Sequence, residues 1–166
     1  MLDDKVATVS ACAKLYRKCI LERVPFPVGK IYEDFYVVAE HLALAERIVI
    51  SPLETYNYYR REGSIVRSTF TEKRYDFFEA VAKNEEVIKR EYIQSPELKQ
   101  ALQAKKLLGD VVIGAKADSG LKDFSKDREL LRVEMSDLLK NNKLSWKLKL
   151  KYLIFMLNPR LYLLLR

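Results

Sequence analysis

Two adjacent carboxylates, Glu33 and Asp34, stand just after a loop punctuated by Pro25, Pro27 and Gly29. A carboxylate held in such a place can serve as a general base, and its acidic neighbour can tune it, because adjacent like charges raise one pKa. The same pair also suits the first turn of a helix, where acids cap free amides and complement the macrodipole. Lys14 ends an apolar run, and strand ends are where function gathers in α/β folds. It also suits a snorkelling lysine or an ion pair with Glu33 or Asp34. Arg60, Arg61 and Ser64 lie on the polar loop Arg60-Arg61-Glu62-Gly63-Ser64. The two guanidinium forks suit an anion, and the segment also suits an exposed loop with no ligand. Tyr56, Tyr58 and Tyr59 can stack on a ligand or fill a core. His41, the sole histidine, has no second ligand nearby in sequence and reads as a surface or packing residue.

The elements that must position these residues follow from hydrophobic period. Residues 6–16 are small and apolar with β-branched residues early, the pattern of a buried strand. A helical turn or two over 17–23, with Cys19, Ile20 and Leu21 inward, stops at the two prolines. Residues 33–46 place Phe35, Val38, Ala39, Leu42 and Ala45 at helical spacing. Residues 47–50 and 55–60 read as short strands. Beyond residue 70 the pattern is helical: 71–92 with Thr71 as N-cap candidate, 95–116 begun by Ser95-Pro96, 125–141, 144–157 and 159–165. Residues 118–120 break the chain between the second and third of these. Three strands are too few for a self-sufficient sheet, and an open edge invites pairing with another piece of sheet.

Composition sets the outer bounds. The 166 residues fit one domain of globular character, 49% hydrophobic and 32% charged. The +7 net charge is unevenly placed: the last 29 residues hold seven Lys or Arg and no acid, and the remaining 23 bases balance all 23 acids. That points to a local role for the tail and away from a basic nucleic-acid-binding fold. Cys12 and Cys19 have neither metal-ligand spacing nor a disulfide-rich background, and read as reduced, buried thiols of a cytoplasmic protein. The opening Leu2-Asp3-Asp4-Lys5 is not that of a signal peptide. The longest unbroken apolar run has six residues, 152–157, against the ~20 that a spanning helix needs.

Three separated motifs then occur in order: Ala13-Lys14-Leu15-Tyr16-Arg17, Phe26-Pro27-Val28-Gly29-Lys30-Ile31-Tyr32-Glu33-Asp34 and Tyr58-Tyr59-Arg60-Arg61-Glu62-Gly63-Ser64-Ile65. Together they resemble the second half of bacterial family 2 glycosyltransferases of the GT-A fold, of the kind that builds cell-surface polysaccharides. The resemblance covers residues 8–95. It implies an α/β fold: a partial GT-A sheet of few strands on the acceptor side over 1–70, then a mostly helical extension with a basic amphipathic tail over 71–166. It implies transfer of a sugar from a nucleotide-sugar to a saccharide or lipid-linked acceptor. Asp34 would then be the general base and Glu33 a positioning acid. Lys14, Arg60, Arg61 and Ser64 would contact acceptor or diphosphate.

The family's Asp-x-Asp motif, which holds Mg²⁺ or Mn²⁺ on the donor diphosphate, is missing from this sequence. The expectation is therefore half an enzyme, inactive alone and with no cofactor of its own. It would be completed by a donor-binding half, or by another copy, through the open sheet edge. The competing expectation is a non-catalytic interaction or dimerisation module. In the tail, Lys140, Lys143, Lys147 and Lys151 share a helical face, with Trp146, Leu150, Leu153, Ile154 and Leu157 on other sides. This suits an anchor on the inner face of the membrane. It also suits a helix packed on the bundle with its lysines in solvent.

Overall fold

The computed structural model describes residues 9–57, 59, 70–91, 116–132, 135–142 and 144–164. The described elements are helical: α1 (Lys18–Arg23), α2 (Glu33–Leu44), a 3-10 turn (Glu72–Tyr75), α3 (Asp76–Glu91), α4 (Ser125–Arg132), α5 (Met135–Lys140), α6 (Trp146–Leu157) and α7 (Pro159–Leu164). Helix starts and stops follow local chemistry. The Ser145 hydroxyl accepts the Leu148 amide at the head of α6, and Asn158 Oδ1 accepts the amides of Arg160 and Leu161 at the head of α7. The helical turn at 116–118 ends at Gly120 with φ 74°. There the Gly120 amide reaches the Ala117 carbonyl and the Leu121 amide reaches Lys116, the Schellman pair that a left-handed residue permits.

Two apolar clusters result. In the first, α2 lies along α3: Phe35 and Val38 meet Tyr75, Phe77, Ala80, Val81 and Ile88, and the Phe35 and Phe77 rings stack at 5.5 Å. In the second, Phe124, Leu131, Leu138 and Leu144 surround Tyr152 and Phe155 of α6 and Tyr162 of α7. A polar knot joins them. Lys116 Nζ donates to Asp127 Oδ2 at 2.9 Å and to the Tyr75 hydroxyl at 3.1 Å, and that hydroxyl donates to Asp127 Oδ1 at 3.1 Å. All three residues are buried.

The expected partial GT-A sheet is not present among the described residues, which contain no strand. Residues 9–16 run as bends and turns into α1. Residues 47–57 are irregular and exposed, with Val49 78% and Leu53 74% accessible. The reason is pairing: a strand satisfies its amides and carbonyls on a neighbour, and no described segment lies alongside to form a ladder. The β-branched residues of 47–50 therefore stand in water. The helical periods fared better. The 33–46 pattern gives α2, and the 71–92 pattern gives the 3-10 turn and α3, although Thr71 makes no side-chain cap. Within the 125–141 pattern the described residues form α4 and α5. The helix expected over 95–116, apart from Lys116, and residues 6–8, Tyr58, Tyr92, Arg60, Arg61 and Ser64 lie outside the described residues. Cys12 and Cys19 are exposed free thiols, not buried ones: Cys12 stands in a turn, and α1, which holds Cys19, buries no residue.

Candidate functional site

The acidic pair sits at the head of α2, on a backbone that something else must hold. Tyr32, immediately before Glu33, has φ 61°, and Ala13, immediately before Lys14, has φ 57°. These are the two non-glycine residues with positive φ among those described, a conformation that L side chains disfavour by ~1–2 kcal/mol. Tyr32 is held by packing of its ring on Phe77 at 5.5 Å and by the Arg74 guanidinium 3.5 Å from its hydroxyl. The loop leading into it is clasped from α3. Asp76 Oδ2 accepts the Ile31 amide at 3.1 Å, Asp76 Oδ1 accepts Lys30 Nζ at 3.2 Å, and Lys30 also pairs with Glu79. These two carboxylates hold the Lys30 ammonium above its ordinary pKa, Glu79 foremost. Lys73 Nζ reaches the Gly29 carbonyl at 3.2 Å.

On this frame Asp34 is half-buried and Glu33 exposed. Asp34 Oδ1 accepts the Phe35 amide at 2.6 Å, so the cap that Tyr32 does not supply comes from Asp34. Among the described residues its Oδ2 has no hydrogen-bond partner. One oxygen is thus fixed and the other is open to a donor. The charge of Asp34 is felt by two neighbours. The Tyr16 phenol is pushed up by burial first and by Asp34 second. The Cys12 thiol is drawn down, first by a hydrogen bond from the Tyr56 hydroxyl and then by Ser10, with burial and Asp34 opposing.

Tyr16 is placed by an aromatic triad. Its ring lies 6.2 Å from Phe26 and 5.3 Å from His41, with Phe26 and His41 5.4 Å apart. His41 is buried in α2, and its Nε2–H donates to the Val24 carbonyl at 2.8 Å. The histidine is therefore a packing residue that ties the Pro-rich loop to α2. Lys14 folds back so that its ammonium donates to the Ser10 carbonyl. It makes no ion pair with Glu33 or Asp34 among the described residues.

The charge of Asp34 thus reaches Tyr16 and Cys12, the charge of Lys14 reaches Cys12, and Cys12 is hydrogen-bonded to Tyr56. Tyr16 and Cys12 were not among the expected site residues. Tyr16 stood inside one of the three motifs, but nothing local says that it feels the charge of a carboxylate further along the chain. Asp76 was missed for the same reason, since its contacts span 45 and 46 residues. No three His, Cys, Asp or Glu side chains that could hold a metal ion come together among the described residues. The divalent ion implied by the resemblance has no ligand set in them.

No family model matches the chain, and no solved structure matches it. A stretch of 67 residues, 40% of the chain, is 36% identical to the glycosyltransferase GlyA of Streptococcus pneumoniae serotype 4 (strain ATCC BAA-334 / TIGR4). The chain spans about a tenth of that protein's length. No helix among the described residues is long and apolar enough to cross a membrane.

Proposed function

We propose that this chain is the acceptor-side portion of an inverting glycosyltransferase of family 2 type, acting in cell-surface polysaccharide synthesis. The carrying observation is the half-buried Asp34, with one oxygen fixed on the Phe35 amide and the other without a partner among the described residues, its charge felt by the Tyr16 phenol. The sequence similarity to a glycosyltransferase supports the same reading. Asp34 takes the proton of the acceptor hydroxyl as that oxygen attacks the anomeric carbon; the bond to the nucleoside diphosphate breaks and its oxygen leaves with the electron pair. Glu33, exposed beside it, orients the acceptor. Lys14, once released from Ser10, and Arg60, Arg61 and Ser64 contact acceptor or diphosphate.

The donor-binding portion, with its Mg²⁺ or Mn²⁺, lies outside this chain. Leu15 and Val28, fully accessible on the loops around Asp34, and the exposed Ile48, Val49, Ile50 and Leu53 are the apolar surface available to receive it. The same exposed residues favour a second reading, a non-catalytic module that docks on another protein.

The two readings part in one experiment. In a longer enzyme containing this portion, Asp34→Asn should cut transfer at least about a hundredfold while nucleotide-sugar binding is unchanged. Transfer near the parent rate would remove Asp34 as the base. Tight metal-dependent binding of a nucleoside diphosphate to the chain alone would overturn the division into portions.

A further inference from the structure

The whole net charge of +7 lies in the last 29 residues, which contain α6 and α7 and no acid. α6 is apolar on two opposite faces, and among the described residues only one of them has a partner. Leu148, Tyr152 and Phe155 turn into the second cluster, with Tyr152 2% and Phe155 0% accessible. At ~100° per residue, Trp146, Leu150, Leu153 and Leu157 fall within a sector of roughly 60° on the far side. Trp146 is 69%, Leu150 47% and Leu157 83% accessible. By the same geometry Lys147 lies ~60° beyond one edge of this strip and Lys149 ~40° beyond the other, while Lys151 falls nearer the buried face, over the Tyr162 ring at 5.0 Å. Lys149 is engaged with the Leu139 carbonyl at 2.6 Å, whereas Lys147 is exposed beside the Trp146 ring.

We propose that this strip is a docking surface for an anionic lipid bilayer. α6 lies in the plane of the interface, with Trp146 at the headgroup level, the leucines at the acyl boundary and the flanking lysines on lipid phosphates. Twelve residues make a helix of ~18 Å, too short to span and long enough to lie flat. Charge decides between occupants. A second copy would set one acid-free basic segment against another, whereas an anionic lipid surface complements it. The inference does not rest on the glycosyltransferase reading.

Trp146 is the sole tryptophan, so its emission reports on the strip directly. The full chain should float with vesicles of phosphatidylglycerol and phosphatidylcholine but not with phosphatidylcholine alone, and its emission should shift to the blue. Trp146→Ser with Leu150→Ser alters side chains already in solvent, which an unchanged circular dichroism spectrum would check. This double variant should weaken binding at least about tenfold. Lys147→Ala should weaken it about fivefold. Absence of binding by the parent chain, equal binding to both vesicle types, or equal binding by the variants would overturn the proposal. Self-association lost in the double variant, without vesicle binding, would assign the strip to a second copy and overturn it too.

Discussion

Asn84 is the side chain on which the packing of α2 against α3 turns. It is fully buried. Its Nδ2 donates to the carbonyls of Phe35 at 2.6 Å and Ala80 at 2.7 Å, and its Oδ1 accepts the Ala39 amide at 3.0 Å. Phe35 and Ala39 are the two residues that a helical ladder would join across one turn, so the amide side chain bridges that turn directly behind Asp34. Replacing it leaves a buried donor and a buried acceptor without this partner, at ~1–3 kcal/mol for each group not satisfied otherwise. Asn84→Ala should therefore lower the urea midpoint with the slope unchanged. A midpoint equal to the parent's would show that the bridge is dispensable.

At the scale of elements, the loop before α2 owes its shape to α3. Asp76 is buried at the start of α3 and takes both the Ile31 amide and the Lys30 ammonium. Asp76→Ala should cost about 1.5–3 kcal/mol, the range for a hydrogen bond to a charged group. It should also raise hydrogen exchange at Ile31 well above that at buried amides of α3. Uniform acceleration across both helices would mean that the clasp is merely part of global stability. The helices themselves were legible in the sequence. The periods of α2 and α3, the break at Gly120, and the helical run from Pro159 are rules of contact within a turn or two. The clasp was not legible, because nothing near Asp76 says that its partner lies 45 residues back.

At the scale of the molecule, the two apolar clusters are joined at a buried ion pair with a phenol. Burial works against the Lys116 charge, but Asp127 and Tyr75 together more than offset it, and the ammonium's pKa is raised from its usual 10.5. Burial pushes the Tyr75 phenol up from 10.0, with Asp127 adding to it and Lys116 opposing. Both groups hold protons more tightly in the folded chain than in the unfolded one. Their stabilisation is full below the unfolded values and is lost as pH rises through the folded ones. The melting temperature should thus fall as pH is raised above about 10. Lys116→Met should cost ~3–5 kcal/mol at neutral pH, because it leaves Asp127 buried without its counter-charge. A flat alkaline profile in the parent would contradict this.

Charge segregation, the helical segments and the acid pair at a helix head all followed from residue order, since each depends on neighbours a few positions away. Three matters did not. The β-branched residues at 47–50 could become strand only beside a partner, and among the described residues they have none. α6 is apolar on both sides, so its pattern left open which side faces the core; the packing of Tyr152 and Phe155 against Phe124 and Tyr162 turned Trp146 outward. Asp34 could have been a cap or a base. It caps Phe35 with one oxygen and, among the described residues, leaves the other without a partner, on a backbone that α3 holds from a distance along the chain.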